Sequence, residues 1–170
     1  MEKHLDYKLK GKTAFVSGGS HGIGLEISKL LGMYGCKVAF CSRTTERLNE
    51  TKDILDKLNV ENYPIQFDAL EEQSCIDAIS KAEEKFGDID ILINNVGGGG
   101  RWGKENIEET DLVVWDEVYS KNAKAAIIFT RKCIPMMRKN KWGRVITITS
   151  ILGKEGGGRP WFNMAKSAEV

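Results

Sequence analysis

Short apolar runs alternate with longer amphipathic stretches along most of the chain. This alternation is typical of βαβ units, in which helices cover a parallel sheet. Five apolar runs have the length of strands and predict them at residues 13–17, 37–42, 63–67, 89–94 and 144–149. Apolar residues at helical spacing predict helices at residues 22–34, 45–58, 71–86, 111–120 and 122–139, with a last helix beginning near Pro160.

These elements predict one α/β domain of the Rossmann type, with a doubly wound parallel sheet in three αβα layers. A chain of 170 residues has room for one sizeable core, so we expect a single domain over 1–170 with an N-terminal arm at 1–10. Pro135 lies inside a predicted helix and should bend it or leave one carbonyl without its donor. The last helix has scarcely begun at Val170, so the fifth strand should be an exposed edge that favours pairing with another chain.

The composition narrows the range of partners. Hydrophobic residues make up 41% of the chain and charged residues 29%, and the net charge of +1 gives no strong attraction to nucleic acid or an anionic membrane. The charged start lacks the apolar segment of a secretory signal, and no apolar run has membrane-spanning length. The four cysteines lack C-x-x-C spacing and histidine neighbours, which predicts reduced thiols and no metal site. We therefore expect a soluble cytoplasmic protein that binds neither nucleic acid nor membrane.

A glycine-rich segment joins the first predicted strand to the first predicted helix. It reads Ser17-Gly18-Gly19-Ser20-His21-Gly22-Ile23-Gly24. Glycines there allow a tight turn and let backbone amides approach a pyrophosphate at the positive end of a helix. The spacing differs from G-x-G-x-x-G, and glycine turns of this kind also occur for packing alone. Because the segment lies in the first βα turn, where such folds bind dinucleotides, we expect it to bind a cofactor.

The end of the second predicted strand discriminates between two cofactors. An NAD site usually has Asp or Glu there to bind ribose hydroxyls, whereas this chain reads Cys41-Ser42-Arg43-Thr44. Arg43 can pair with a 2′-phosphate, while Ser42 or Thr44 adds a hydroxyl donor and His21 assists from the glycine turn. Arg43 and His21 also fit the alternative of solvated surface residues. The segment favours NADP(H) over NAD(H).

Four segments resemble, in the correct order, motifs of the short-chain dehydrogenase/reductase family over nearly the whole chain. The glycine-rich segment resembles T-G-x-x-x-G-x-G, and Asp68, followed by Ala69, resembles the acid that contacts adenine. Asn94-Asn95-Val96-Gly97 resembles N-N-A-G, and residues 143–150 resemble the strand that ends in the catalytic serine. The resemblance extends to 3-oxoacyl-acyl-carrier-protein-reductase-like members. It implies NAD(P)(H)-dependent oxidoreduction of a carbonyl/alcohol substrate, and a chain that lacks the last strands of the family fold and the segment that closes over the substrate.

The resemblance also implies positions for the family's Asn-Ser-Tyr-Lys tetrad, which match Asn122, Ser150, Phe162 and Lys166. In the family, tyrosine transfers the proton, serine orients the substrate oxygen, and asparagine supports a water-linked relay. Lysine lowers the tyrosine pKa and holds the nicotinamide ribose. Residues four apart share a helix face, so side chains 162 and 166 should point together toward the cofactor, but the hydroxyl is absent at 162.

The phenylalanine leaves two functions open. Phenylalanine cannot act as a general acid, a role that typically contributes about 10²–10⁴-fold in rate. The first function is an NADP(H)-dependent reductase or dehydrogenase whose turnover is impaired. The second is a non-catalytic dinucleotide-binding module, either a pseudoenzyme or a truncated or mutated form of a full-length reductase. A phenylalanine at Phe162 also fits ordinary core packing.

The predicted substrate side and subunit contacts are less defined. The loops that flank the expected substrate side contain four candidates for substrate contact, Arg101, Trp102, Arg159 and Trp161. These residues equally fit the alternative of solvated arginines and packed tryptophans. In the family, the helices that start at Asn122 and contain Phe162 commonly build a dimer interface. We therefore expect a homo-oligomer.

Overall fold

A computed structural model describes residues 7–170 of the chain. Its strands are β1 (Thr13–Ser17), β2 (Lys37–Ser42), β3 (Asn62–Gln66), β4 (Ile91–Asn94) and β5 (Arg144–Thr147). Its α-helices are α1 (Gly22–Met33), α2 (Thr45–Lys57), α3 (Glu72–Phe86), α4 (Leu112–Tyr119), α5 (Ala125–Lys139) and α6 (Pro160–Ser167). Residues 1–6 of the predicted N-terminal arm lie outside the described residues, and Leu9 near its end packs against the core.

The five strands form one parallel sheet in the order β3-β2-β1-β4-β5, which confirms the predicted fold class. Alternate residues of β1 serve opposite faces of the sheet. Phe15 joins the core that the sheet forms with α3 and α5, whereas Ala14 and Val16 join the core that includes residues of α1 and α2. All five residues of β1 are buried for this reason, as expected of a central parallel strand.

The segment from residue 111 to residue 139 corrects one prediction. We expected two helices with Asn122 at the start of the second, but α4 and α5 form one helical segment joined by the π-helical turn Ser120–Lys124, and Asn122 lies within that turn. The Asn122 side chain donates a hydrogen bond to the Val118 carbonyl (2.7 Å). A side chain inserted among the backbone hydrogen bonds is a recognised cause of such irregularity. Pro135 lies inside α5, and the helix continues past it.

Two further features concern the surface and the core of residues 7–170. β5 is an edge strand whose Val145 and Ile146 remain 41% and 47% exposed. All four cysteines are free and buried. Burial raises the pKa of the Cys133 thiol to about 12, so this thiol stays protonated near neutral pH.

Phe129 tests the importance of the core between the sheet and α5. Its ring is fully buried and packs against Phe15 (5.3 Å between ring centroids) and Phe67 (5.8 Å). We expect Phe129→Ala to lower the free energy of unfolding by about 3–5 kcal/mol, because the truncation leaves a cavity. Urea unfolding measures the change. Ile127→Ala is the matched control on the same helix, since Ile127 is 50% exposed, and an equal loss in both variants would contradict the assignment.

Candidate cofactor and active site

A cleft of about 700 Å³ opens where β1, β2, β3 and β4 end. The strand order reverses between β1 and β4, which is the switch point where open α/β sheets bind ligands. The cleft is lined by residues from all four βα connections and from the π-helical turn: Gly18, Ser20, His21, Gly22, Ile23, Gly24, Ser42, Arg43, Thr44, Arg47, Phe67, Asp68, Ala69, Leu70, Asn95, Val96, Gly97 and Lys121. Most of the predicted cofactor-binding residues therefore surround one cavity.

The glycine turn is shaped by close contacts that exclude side chains. A Cβ added at Gly24 would overlap the Gly18 carbonyl oxygen and lie 2.5 Å from Nδ2 of Asn95. A Cβ at Gly19 would lie 2.7 Å from Cβ of Phe40. Gly18 has a φ of +65°, which favours glycine. The turn therefore fits tightly between β2 and β4, and α1 begins directly at the cleft.

Ser17 and Asn95 hold the glycine turn against the end of β4. The Ser17 hydroxyl donates to the Ile93 carbonyl (3.2 Å) and accepts from the backbone N–H groups of Asn95 and Val96 (3.0 Å each). Asn95 Nδ2 donates to the carbonyls of Ser17 (3.1 Å) and Gly18 (3.0 Å). Ser17 is fully buried and, like Gly19, does not line the cleft. Ser17 and Gly19 were both predicted to bind the cofactor, but they shape the turn and do not face the cleft.

The chemistry of the cleft fits a dinucleotide phosphate. Ser20 is 6% exposed, and its hydroxyl has no hydrogen-bond partner among residues 7–170. This hydroxyl lies in the turn at the start of α1, where backbone amides and the helix dipole favour an anion. A phosphate oxygen would satisfy the buried hydroxyl. Ser20 and the backbone of the glycine turn are therefore the residues that would hold the pyrophosphate.

The other end of the cleft carries two arginines. Arg43 follows β2, and Arg47 lies one turn into α2; both are exposed, and neither pairs with a carboxylate within the described residues. The Asp68 carboxylate accepts from the backbone N–H of Leu70 (3.0 Å) instead. Arg47 was not expected from the sequence, because Arg43 precedes α2 and helical spacing therefore does not relate the two arginines. Phe67, Leu70 and Lys121 were also missed, and no motif marks them.

Phe162 and Lys166 share one side of α6, as their spacing predicts. The Lys166 amine lies 5.9 Å from the centroid of the Phe162 ring. The lysine side chain is 6% exposed and donates to the Ile148 carbonyl (3.3 Å) and to a carboxylate oxygen of Glu169 (2.6 Å). Burial raises the pKa of Glu169, and the hydrogen bond from Lys166 opposes that rise. The sequence analysis missed Glu169 as the partner of the lysine.

Asn122 connects the π-helical turn to the loop after β4. Its Oδ1 accepts from the N–H of Gly98 (3.0 Å), and its Nδ2 donates to the Gly98 carbonyl (2.8 Å). A Cβ at Gly97 would lie 2.5 Å from Oδ1 of Asn122 and 3.1 Å from Nζ of Lys166. Gly97 lines the cleft and lies between the asparagine and the lysine, whereas Lys166, which was predicted to bind the cofactor, does not itself line the cleft.

Ser150 follows β5 and begins a short 3₁₀ turn. Its hydroxyl accepts a hydrogen bond from the N–H of Leu152 (3.2 Å), which leaves its proton available to another acceptor. The half-buried Phe162 ring packs in a cluster with the fully buried Trp161. The assignment of all four tetrad positions as catalytic stays a prediction.

The loops on the expected substrate side are braced by Arg159. Its guanidinium donates to the carbonyls of Trp102, Gly103 and Lys104. Trp161 packs edge-on against Trp115, with 5.6 Å between ring centroids. Arg159 and Trp161 thus have structural contacts in this fold. Arg101 is exposed, and Trp102 is half-buried at the rim.

No group of three or more His, Cys, Asp or Glu side chains in residues 7–170 is placed to hold a metal ion. None of the helices found there combines the length and apolar character needed to cross a membrane.

The sequence matches the family model described as short chain dehydrogenase over residues 12–168. The chain belongs to this family. A relative of this short-chain dehydrogenase is the 3-oxoacyl-[acyl-carrier-protein] reductase of Aquifex aeolicus, which is 29% identical over 89% of the chain and 60% of the reductase. The chain spans about half to three fifths of the length of the curated relatives it matches.

Solved structures of the same family share the fold. A 7α-hydroxysteroid dehydrogenase in complex with NADH and 7-oxo glycochenodeoxycholic acid has a TM-score of 0.87 and 26% identity, over 95% of this chain and 62% of that one. A metagenomic short-chain oxidoreductase in complex with NADP has a TM-score of 0.88 and 27% identity, over 94% of this chain and 72% of that one. The short-chain dehydrogenase fold of this protein thus corresponds to proteins crystallised with either cofactor.

Gly24 provides a direct test of the glycine turn. Gly24→Ala places a methyl group against the Gly18 carbonyl, so we expect the free energy of unfolding to fall by about 1–3 kcal/mol from overpacking. Urea unfolding measures the loss. Gly156→Ala is the control, because a Cβ at Gly156 meets no atom within 4 Å. An unchanged unfolding midpoint for Gly24→Ala would contradict the packing of the turn.

Proposed function

We propose that this short-chain dehydrogenase binds NADP(H) in preference to NAD(H) and acts as an oxidoreductase on a carbonyl/alcohol substrate, with proton transfer impaired at Phe162. The observation that carries the proposal is a cleft of about 700 Å³ lined by two arginines that have no carboxylate partner among residues 7–170. Beside the cleft residue Gly97 lies the amine of Lys166, with the Phe162 ring 5.9 Å from it. When bound, the cofactor supplies or accepts a hydride. The chain's own residues bind the cofactor, orient the substrate and take part in proton transfer at the substrate oxygen.

The preference for NADP(H) is supported by charge. Arg43 and Arg47 place two guanidinium groups at the cleft rim, and guanidinium groups recognise phosphate through paired hydrogen bonds. The position after β2 that carries an acid in an NAD site holds Ser42 and Arg43 instead. A 2′-phosphate at the end of β2 would therefore meet two cations.

The impairment follows from the chemistry of the tetrad positions. Ser150 retains a hydroxyl that can orient a substrate oxygen, and Lys166 retains a buried amine. The Phe162 ring occupies the position of the family's proton donor without a hydroxyl. Reduction of a carbonyl then develops negative charge on oxygen with no acidic side chain at position 162 to protonate it. Slow turnover follows, whereas cofactor binding is unaffected because the glycine turn and arginines remain.

The proposal also includes a cytoplasmic location and a homo-oligomeric state. Four free cysteines are typical of proteins kept in reducing surroundings. Leu112 and Val113, at the start of α4, are 75% and 53% exposed, which favours a contact between subunits along that helix.

Arg43 tests the cofactor preference. Loss of a charge-assisted hydrogen bond weakens binding by about 10- to 100-fold, so we expect Arg43→Ala to lower NADPH affinity by this factor and to leave NADH affinity nearly unchanged. Titration of each nucleotide by fluorescence or calorimetry gives the dissociation constants. Arg131→Ala on α5 removes an exposed arginine that does not line the cleft and serves as the control. Equal affinity of the wild-type chain for NADPH and NADH would refute the preference.

Phe162→Tyr tests the impairment. The added hydroxyl restores a proton donor, so we expect NADPH consumption with a panel of ketones and aldehydes to rise by about 10²–10⁴-fold. NADPH affinity, measured in parallel, should change little. A wild-type chain as fast as the tyrosine variant would show that Phe162 does not impair turnover. If both bind NADPH and neither turns over, the chain acts as a non-catalytic binding module.

A further inference from the structure

One cation of the cleft has no role in the function proposed above. Lys121 lies in the π-helical turn directly before Asn122, and its side chain lines the cleft. Its amine lies 4.6 Å from the centroid of the Trp102 ring. A Cβ placed on Gly98 would lie 3.5 Å from the same amine. The Lys121 amine therefore lies against two residues of the loop after β4, Trp102 and Gly98.

The surroundings of Lys121 differ from those of the other lysines nearby. Lys124, three residues later, is exposed and pairs with Glu72 at 3.1 Å. Lys166 pairs with Glu169. Lys121 has no carboxylate within ion-pair distance among residues 7–170, although Asp68 exerts an attractive field on it. Its half-buried amine therefore lacks the partner that the other two have.

The position of Lys121 in the cleft disfavours the charged form of its amine. Burial lowers the pKa of Lys121, and the nearby positive charge of Arg43 lowers it further. The Trp102 ring provides a weak cation–π contact that partly offsets the lost hydration. A negatively charged ligand in the cleft would offset the remaining loss of hydration, because opposite charges attract more strongly where water is excluded.

We propose that Lys121 binds a phosphate group of the dinucleotide, as a third cation of the cleft beside Arg43 and Arg47. The inference rests on the proposed cofactor binding and assigns one more residue to it. Asn122 fixes the geometry by bonding both the N–H and the carbonyl of Gly98, so the loop below the lysine is attached to the same turn. The Trp102 ring packs against the amine of this lysine.

The electrostatic neighbours of Lys121 place it toward the adenosine end of the cleft. It interacts with the charges of both Arg43 and Asp68, which follow β2 and β3. The adenosine of NADP(H) carries two phosphate groups, the 2′-phosphate and the 5′-phosphate. A lysine would bind either group in the same way, so nucleotide fragments that carry one or both phosphates are needed to distinguish them.

The experiment compares Lys121→Met, Lys121→Gln and Lys121→Arg with the wild-type chain. Calorimetric titrations use NADPH, NADH, 2′,5′-ADP and 5′-AMP, each at two salt concentrations. Loss of a charged hydrogen bond corresponds to about a tenfold or greater loss of affinity, which we expect for NADPH with Met or Gln. The salt dependence should also weaken, because exposed charge interactions are screened. Lys121→Arg should retain more affinity than either neutral variant.

Lys124→Met is the matched control, since it removes a lysine of the same turn that faces α3 and not the cleft. Its NADPH affinity should equal that of the wild type. Thermal unfolding of each ligand-free variant shows whether the fold is kept, and the Gln variant replaces the Met variant if the latter does not fold. A loss confined to NADPH and 2′,5′-ADP assigns the 2′-phosphate, while a loss shared by NADH and 5′-AMP assigns the 5′-phosphate.

Three results would overturn the inference, and they can be distinguished from one another. Wild-type affinity for NADPH in the Met and Gln variants excludes Lys121 from binding and leaves the proposed function intact. Failure of the wild-type chain to bind either NADPH or NADH overturns the proposed function and this inference together. An equal loss in Lys124→Met would show a general effect of charge and would also overturn the inference.

Discussion

The close contact between the glycine turn and the end of β4 is the constraint on which the rest of the site depends. Gly24 approaches the Gly18 carbonyl so closely that a side chain has no room, and Asn95 bonds the same carbonyl from the neighbouring strand. These contacts join the two halves of the sheet at the point where the strand order reverses. Because the turn is held there, α1 starts at the cleft, and its free amides face the space where a phosphate would bind.

The opposite side of the cleft depends on polar contacts between distant segments. Asn122 ties the π-helical turn to Gly98, and Gly97 passes between that asparagine and Lys166 with no space for a side chain. The lysine amine is buried with Glu169, so its charge is compensated within the fold. The Phe162 ring lies 5.9 Å from this amine and packs in an apolar cluster that includes Trp161.

Much of the fold could be predicted from sequence because the sheet is parallel and covered on both faces. Such strands need continuous apolar runs, and the run at Thr13–Ser17 matches β1 residue for residue. The boundaries of two elements differ from the prediction. The strand predicted from residue 89 begins at Ile91, and the helix expected to start at Asn122 continues from α4. The second difference arises from one side-chain hydrogen bond to Val118, which periodicity does not encode.

The sequence by itself determined the order of strands and helices, the glycine turn, the arginine after β2 and the missing hydroxyl at Phe162. Each of these is a property of residue type at a local position. Only the tertiary structure decided that Ser17 supports the turn from beneath, that Glu169 neutralises Lys166, and that Lys121 faces the cleft. These roles depend on which segments meet in space, because a buried polar group takes its function from the groups beside it.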